Sequence, residues 1–282
     1  MQFKTKVRDM FDLTGRVAVI TGGGGLLGAK HAEAVAELGG IPVIVDIDQG
    51  RCEQVAERVR GEYSVHSVGV RTDITDPDEV LALRDTVLTE FGRVDILINN
   101  AANNPAAGGS RSLEEVADSR LETFPLEDWN RDVAVGLTGA FLCARTFGEV
   151  MAQRGGGVIL NIASDLALIS PDQRLYRRPG QPEHAQPVKP VTYSVVKSGL
   201  IGLTRYLATY WVNQGVRSIA LSPGGVYVDQ DEVFVRRLGE LIPMGRMAHK
   251  DEYKAAVAFL VSDASSYMNG ANLIMDGGRT VW

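Results

Sequence analysis

Cysteine and histidine are both scarce in this sequence of 282 residues, which has two cysteines and four histidines. Cys52 and Cys143 lie far apart along the chain, and the histidines are scattered. Neither residue type therefore shows the spacing of a metal site or of a disulfide framework. We predict no bound metal, and two unpaired thiols favour a reducing, cytoplasmic compartment.

The sequence also lacks an excess of basic residues and a long apolar run. Its formal net charge of −6 argues against a nucleic-acid or anionic-membrane partner. No apolar stretch looks long enough to cross a bilayer, and residues 1–10 are too charged for a signal peptide. A hydrophobic content of 45% and a charged content of 23% are globular averages. We therefore expect one domain over residues 1–282 that acts on a small-molecule substrate.

Short β-rich runs alternate with helical stretches along the whole chain. This alternation is typical of parallel strands joined by crossover helices. It predicts an α/β fold with a doubly wound parallel sheet of about seven strands and helices on both faces. Strands are predicted at residues 16–21, 41–46, 64–70, 94–98, 157–162, 216–221 and 272–275. Helices are predicted at residues 26–39, 50–60, 77–91, 126–153, 191–214 and 250–262.

A glycine-rich turn, Gly22–Gly25 with Gly28, separates the first strand from the first helix. Glycines let the backbone approach a pyrophosphate, and the free N–H groups of a helix N-terminus favour its charge. The second strand ends at Asp46, 24 residues after Gly22, near the spacing of a carboxylate that binds the adenosine ribose. Such a carboxylate repels a 2′-phosphate, and Ile47 rather than an arginine follows it. The segment therefore favours NAD over NADP.

Tyr193 and Lys197 lie four residues apart in a predicted helix, so their side chains share one face. A nearby ammonium favours the phenolate, and we expect it to lower the pKa of Tyr193 toward neutral pH. A phenol of that kind suits acid/base catalysis on an alcohol and ketone couple. Alone, the pair is also compatible with a solvated helix face, but the glycine turn supplies a cofactor site upstream.

Several motifs taken together resemble the short-chain dehydrogenase/reductase family, from about Asp12 to Gly278. The resemblance implies a single Rossmann-type domain and an NAD(H)-dependent oxidoreductase that interconverts a secondary alcohol and a ketone. The matching motifs are the glycine turn after Thr21, Asp73-Ile74, Asn99-Asn100-Ala101-Ala102, Ser164, the Tyr193 and Lys197 pair, Pro223-Gly224 and Asp276-Gly277-Gly278.

The resemblance assigns roles to individual residues. It implies that Tyr193 donates or accepts the hydroxyl proton, that Lys197 also binds the nicotinamide ribose, and that Ser164 hydrogen-bonds the substrate oxygen. These three are the predicted catalytic residues, and the nicotinamide carries the hydride. The implied NAD-binding residues are Thr21, Gly22, Gly25, Leu26, Leu27, Gly28, Asp46, Ile47, Asp73, Ile74, Asn100, Ala101, Ala102, Tyr193, Lys197, Pro223, Gly224 and Val226.

The sequence departs from the family pattern at a few positions. Leu26 stands where a second glycine is usual, so the turn must be built from residues 23–25. Gly136 replaces the family's active-site asparagine, which holds a water in the proton relay, and Val228 replaces a threonine that touches the carboxamide. The change at position 136 keeps a different class open: a nucleotide-binding sensor or partner subunit without turnover.

Two stretches, near 103–127 and 165–190, are longer than their connections require and follow strand ends. We expect both to cover the site. In the second, Asp165, Arg174, Tyr176 and Arg177 are predicted to contact an anionic or polyhydroxylated substrate. Solvated loop arginines are the alternative.

The segment after Ser164 supplies a narrower resemblance. Residues 164–176 and 188–193 resemble a subgroup associated with sugar and surface-polysaccharide biosynthesis, including the legionaminic-acid branch. This favours sugar derivatives as substrates. A 3-oxoacyl or other small-ketone reductase is the alternative within the family.

The predicted helix near the catalytic pair is apolar on more than one face. Its width predicts a homodimer or homotetramer formed through this helix, and core burial explains part of the same pattern. The apolar residues are Leu200, Ile201, Leu203, Tyr206, Leu207, Tyr210 and Trp211.

Overall fold

The computed structural model describes residues 6–103 and 119–282. Its strands are β1 (Val17–Thr21), β2 (Ile41–Asp46), β3 (Val68–Arg71), β4 (Ile96–Asn99), β5 (Gly157–Ile162), β6 (Val216–Pro223) and β7 (Asn272–Met275). They form one sheet in the order β3-β2-β1-β4-β5-β6-β7, and every neighbouring pair is parallel. The predicted seven-stranded parallel sheet is therefore confirmed.

Helices connect the strands and cover the sheet. The helices are α1 (Val7–Met10), α2 (Leu26–Glu37), α3 (Gln49–Tyr63), α4 (Pro77–Phe91), α5 (Leu126–Val133), α6 (Gly139–Gln153), α7 (Val191–Tyr210), α8 (Glu232–Glu240) and α9 (Lys254–Val261). A π-helical turn, Ala134–Thr138, joins α5 to α6.

The sheet is apolar on both faces because helices cover both. In β1, Ala18 and Ile20 belong to one hydrophobic cluster, whereas Val17 and Val19 belong to the other. All four side chains are at most 1% exposed. A parallel strand buried on both faces reads as a continuous apolar run, which is how β1 appears in the sequence.

Several predicted boundaries are wrong. The third strand was expected at 64–70 but is limited to Val68–Arg71, because α3 continues to Tyr63 and ends on Ser64 in the left-handed conformation. The single helix expected over 126–153 is interrupted by the π-helical turn. Helix α8 was not predicted at all, although the Asp231 carboxylate caps its first turn by accepting from the Val233 and Phe234 amides.

One helical stretch has the length and mean hydropathy of a membrane span, contrary to the expectation that no apolar stretch is long enough to cross a bilayer. Among the described residues, Leu126–Gln153 has 28 residues and a window hydropathy of 1.3. However, 56% of that window is buried inside the fold. Cys143, Phe147 and Met151 of this stretch lie in the core beside Leu97 and Ile159 of the sheet. Its apolar character is thus accounted for by packing within the fold.

Candidate active site

The glycine turn connects the end of β1 to the first turn of α2. A Cβ at Gly28 would come within 2.1 Å of the Gly22 carbonyl oxygen, and Gly22 itself has φ +61°. Both positions therefore require glycine. Helix α2 begins at Leu26, with Gly25 as its N-terminal cap. The first amides of α2 thus face the carboxyl edge of the sheet, which is the arrangement that binds a pyrophosphate.

The segment after β4 holds this turn in place. The Asn100 side-chain amide donates to the carbonyls of Thr21 (3.0 Å) and Gly22 (3.1 Å). In return, the Thr21 hydroxyl oxygen accepts from the backbone amides of Asn100 (3.1 Å) and Ala101 (3.2 Å). The ends of two neighbouring strands are therefore cross-linked where the cofactor is predicted to bind.

Asp46 lies beside the glycine turn at the end of β2. Its carboxylate accepts from the Gly24 amide at 3.2 Å and from the Asp48 amide at 3.3 Å. Ile47 is exposed next to it. Arg51 on α3 also approaches the turn, since a Cβ at Gly24 would lie 2.7 Å from Arg51 Cβ. Arg51 was not among the predicted site residues.

The remaining predicted cofactor positions lie at the same edge of the sheet. After β3, the Asp73 carboxylate accepts from the Thr75 amide (2.9 Å) and hydroxyl (2.7 Å), and Ile74 packs against Gly139. After β6, the Gly224 amide donates to the Met275 carbonyl at 2.9 Å. The residues predicted to bind the cofactor that also line the central cavity are Leu26, Leu27, Asn100, Ala102, Tyr193, Lys197, Pro223, Gly224 and Val226.

Ser164, Tyr193 and Lys197 line this one cavity of about 390 Å³. Ser164 follows the end of β5, whereas Tyr193 and Lys197 lie in the first two turns of α7. The Lys197 ammonium is buried and donates to the Ile162 carbonyl at 2.7 Å. Tyr193 is hydrogen-bonded to Ser164. The structure thus brings the three predicted catalytic side chains together beside the glycine turn.

The predicted lowering of the Tyr193 pKa is wrong for this structure. Burial raises the pKa of Tyr193, since it penalises the phenolate, and the negative charge of Asp165 acts in the same direction. The hydrogen bond with Ser164 opposes both. Burial also lowers the pKa of Lys197 to about 8, helped by the positive charge of Lys189.

A buried ion pair adjoins the catalytic serine. The Ser164 hydroxyl donates to Asp165 at 2.8 Å, and Arg279 donates to the other carboxylate oxygen of Asp165 at 2.7 Å. The Arg279 and Asp165 side chains are only 7% and 4% exposed. Asp165 was predicted at the site, but Arg279 was not. Its position directly after the motif Asp276-Gly277-Gly278 was the signal available in the sequence.

The segment over 165–190 partly fulfils its predicted role as a cover. Tyr176 lines the cavity together with Leu175 and Lys189. Burial raises the pKa of Tyr176 to about 12, so its phenol is a neutral hydrogen-bonding group near pH 7. The segment expected over 103–127 falls mostly on residues 104–118, which lie outside the described residues.

The two predicted substrate arginines do not reach the cavity. Arg174 is 79% exposed and pairs with Asp172 at 2.7 Å, and Arg177 pairs with Glu183 at 2.7 Å. Asp172 is two residues from Arg174, and Glu183 is six residues from Arg177. These carboxylates hold both guanidinium groups on the outer surface. The structure therefore fits the alternative that Arg174 and Arg177 are solvated loop charges, and it does not place them where they were predicted to contact the substrate.

Helix α8 forms another wall of the cavity and packs against the covering segment, residues 165–190. Phe234 and Leu238 of α8 line the cavity, and the Phe234 ring lies 5.7 Å from the Tyr176 ring. The Arg237 guanidinium donates to the Arg177 carbonyl at 2.8 Å, which ties α8 to the covering segment. Val228, in the connection that leads to α8, also lines the cavity.

Gly136 lies in the π-helical turn, directly against α7. A Cβ at this position would come within 2.5 Å of Val196 Cγ1, so the space of a side chain is filled by Val196. A second, very small cavity beside Gly136 is lined by Asp132, Asn103, Tyr193 and other residues. The Asp132 carboxylate accepts from the Thr192 hydroxyl at 2.6 Å and from Asn103 at 3.1 Å. Polar groups therefore remain beside Tyr193.

Comparisons with known proteins agree with this geometry. Residues 16–176 match the family described as short chain dehydrogenase, and residues 182–280 match that described as Enoyl-(Acyl carrier protein) reductase. The chain is 35% identical over 276 residues to D-threitol dehydrogenase from Mycolicibacterium smegmatis, covering 96% of this chain and 95% of that protein. It is 30% identical over 286 residues to NAD-dependent glycerol dehydrogenase from Listeria innocua, covering 100% of both.

A solved structure shows the same fold with a bound dinucleotide. It is a gluconate 5-dehydrogenase from Burkholderia cenocepacia J2315 in complex with NADP and tartrate. The TM-score is 0.82 at 29% sequence identity, and the match covers 98% of this chain and 100% of that one.

Proposed function

The chain belongs to the short-chain dehydrogenase/reductase family of oxidoreductases, and from this premise we propose that it is an NAD-dependent dehydrogenase of a polyol or another polyhydroxylated small molecule. The observation that carries the proposal is the single cavity in which Ser164, Tyr193 and Lys197 meet the edge of the glycine turn. That cavity joins a phosphate-binding backbone to an acid/base pair.

The residues present fit a nicotinamide dinucleotide. The glycine turn at the α2 N-terminus would hold its pyrophosphate, Asp46 its adenosine ribose, and Lys197 its nicotinamide ribose. When bound, the cofactor supplies the site that accepts or donates a hydride. Tyr193 removes the proton from the substrate hydroxyl during oxidation and returns it to the carbonyl oxygen during reduction. Ser164 hydrogen-bonds the same oxygen and orients it toward Tyr193.

The polyol class is supported by the relatives and by the lining of the cavity. D-Threitol and glycerol, which appear in the names of two relatives, carry adjacent hydroxyl groups. In this chain, the polar side chains that line the cavity include those of Tyr176 and Gln230. They provide donors and acceptors for hydroxyls beyond the reacting one. The narrower resemblance to the legionaminic-acid branch stays an expectation.

A substrate panel tests this function. The purified protein is mixed with NAD or NADP and with threitol, glycerol, xylitol or gluconate, and formation of reduced nicotinamide is followed by its absorbance. We expect turnover of at least one polyol with NAD, and turnover lower by roughly 100-fold or more in Tyr193→Phe. No turnover of any polyol, or activity only in a parallel assay that supplies 3-oxoacyl esters with NADH or NADPH, would contradict the proposal.

Asp46 provides a sharper test of the cofactor. Its carboxylate at the glycine turn would face a 2′-phosphate, and like charges at close range repel by about 1 kcal/mol or more. Arg51 already lies against Gly24 but pairs with Asp48 at 3.4 Å. We expect Asp46→Ser to lower the ratio of kcat/KM for NAD to that for NADP by about tenfold or more.

The matched control for Asp46→Ser is Glu57→Gln, which removes the same charge from an exposed position on α3. It should leave the ratio unchanged. If both variants keep the wild-type ratio, Asp46 does not face the ribose, and the assignment of NAD loses its support.

We also propose that α7 mediates assembly into a homodimer or homotetramer. Leu200, Ile201 and Leu207 are buried, so the core explains part of the apolar width of this helix. Tyr206 and Tyr210 are 63% and 58% exposed, and their rings stack at 5.7 Å on the outer face. A paired aromatic face of this kind favours contact with a second copy.

A further inference from the structure

Lys189 lies just before α7, and its ammonium is placed over the ring of Tyr193. Its Nζ atom is 4.0 Å from the ring centroid, whereas Lys197 Nζ is 5.9 Å from the same centroid. Lys189 is only 9% exposed and lines the same cavity as Ser164 and Tyr193. Lys189 is therefore nearer to the Tyr193 ring than Lys197 is, although only Lys197 has been assigned a role in catalysis.

We propose that Lys189 is a second cation that stabilises the Tyr193 phenolate and so sets the pH range in which the enzyme works. An ammonium over an aromatic face is attracted by the electrons of a neutral phenol. It is attracted more strongly by a phenolate, because the net negative charge is shared by the ring. The contact therefore favours loss of the phenolic proton.

The surroundings of Tyr193 show why a nearby cation matters. Burial and the charge of Asp165 both favour the neutral phenol. Arg279 forms an ion pair with Asp165. The positive charge near the Tyr193 ring is therefore supplied by Lys189 and Lys197. Among the described residues, the charged and titratable groups around Tyr193 are Lys189, Lys197, Asp165 with Arg279, Tyr176 and, beside Gly136, Asp132.

The two lysines have different geometric tasks. Lys197 donates to the Ile162 carbonyl at 2.7 Å, which fixes its ammonium toward the end of β5. Lys189 approaches the ring from the covering segment, and it is close enough for its charge to disfavour the charged form of Lys197. Two cations held near each other repel, and a phenolate close to both offsets that repulsion.

The proposal rests on the proposed function, because Tyr193 must exchange a proton with the substrate for the pH range to matter. Its test compares the wild type with Lys189→Met, which removes the charge, and Lys189→Arg, which keeps it. Tyrosinate formation is followed by ultraviolet difference titration, and Tyr193→Phe isolates the signal of Tyr193. The pH dependence of kcat/KM for alcohol oxidation is measured on the same variants.

We expect Lys189→Met to move the Tyr193 titration, and the acidic limb of the oxidation profile, by about one pH unit or more to alkaline pH. Lys189→Arg should stay close to the wild type. Lys250→Met, which removes a positive charge from an exposed position, should not move either curve. Lys189→Gln replaces the methionine variant if that variant does not fold.

An unchanged Tyr193 titration in the uncharged variants would overturn the proposal. A higher KM with an unchanged titration would instead assign Lys189 to substrate binding, and it too would overturn the proposal. The titration needs no substrate. A wrong substrate class therefore leaves this test intact, and the two failures can be told apart.

Discussion

Tyr193→Phe should lower kcat by roughly 100-fold or more while leaving dinucleotide affinity close to that of the wild type. The phenol is the acid/base group within the cavity that joins Ser164 to the glycine turn, and a positioned proton donor contributes about that factor. The ring is retained, so packing against Lys189 changes little. The measurements are steady-state kinetics for turnover and calorimetry for cofactor binding.

Tyr176→Phe is the matched control for this experiment. Tyr176 lines the same cavity, and its substitution by Phe removes the same hydroxyl group, but Tyr176 belongs to the covering segment rather than to α7. We expect a moderate rise in KM and little change in kcat. Near wild-type turnover by Tyr193→Phe, or a collapse of kcat in Tyr176→Phe, would show that the acid/base group has been misassigned.

Arg279→Met should have the largest effect on stability, because it leaves the Asp165 carboxylate buried without its cation. Removing one partner of a buried ion pair costs about 3–5 kcal/mol, since the remaining charge is no longer compensated. The Arg279 and Asp165 side chains are 7% and 4% exposed, so solvent cannot replace the lost partner. Urea denaturation at fixed protein concentration measures the free energy of unfolding.

The double variant Arg279→Met with Asp165→Asn separates the ion pair from packing. Without the charge on residue 165, most of the lost stability should return. Arg174→Met is the control, because Arg174 pairs with Asp172 on the outer surface. Its urea midpoint should match that of the wild type. If Arg279→Met also unfolds at the wild-type midpoint, the buried pair does not stabilise the fold.

The sheet and the convergence of its functional side chains were predictable from the sequence. Parallel strands joined by crossover helices bring their carboxyl ends to one edge, so the glycine turn, Asp46 and Ser164 were expected along the same edge of the sheet. The four-residue spacing of Tyr193 and Lys197 fixed their shared face. Patterns of this kind predict the relative positions of residues because they depend only on the regular geometry of strands and helices.

Long-range and competing interactions were not predictable in the same way. Arg279 contacts Asp165 across 114 positions of the chain, and the motif that precedes Arg279 does not identify Asp165 as its partner. Arg174 was predicted to contact the substrate, but its guanidinium instead pairs with the neighbouring carboxylate of Asp172. The pKa of Tyr193 was misjudged because the sequence shows the nearby lysine but not the burial that outweighs it.

The hydrogen bonds that Thr21 and Asn100 make around the glycine turn bear on the thermodynamics of cofactor capture. Fixing the backbone of one residue costs about 1–2 kcal/mol in conformational entropy. In this protein the turn is already held by four hydrogen bonds to the neighbouring strand end, so that cost is met during folding. The pyrophosphate meets a preorganised surface, and little of its interaction energy is consumed in ordering the backbone.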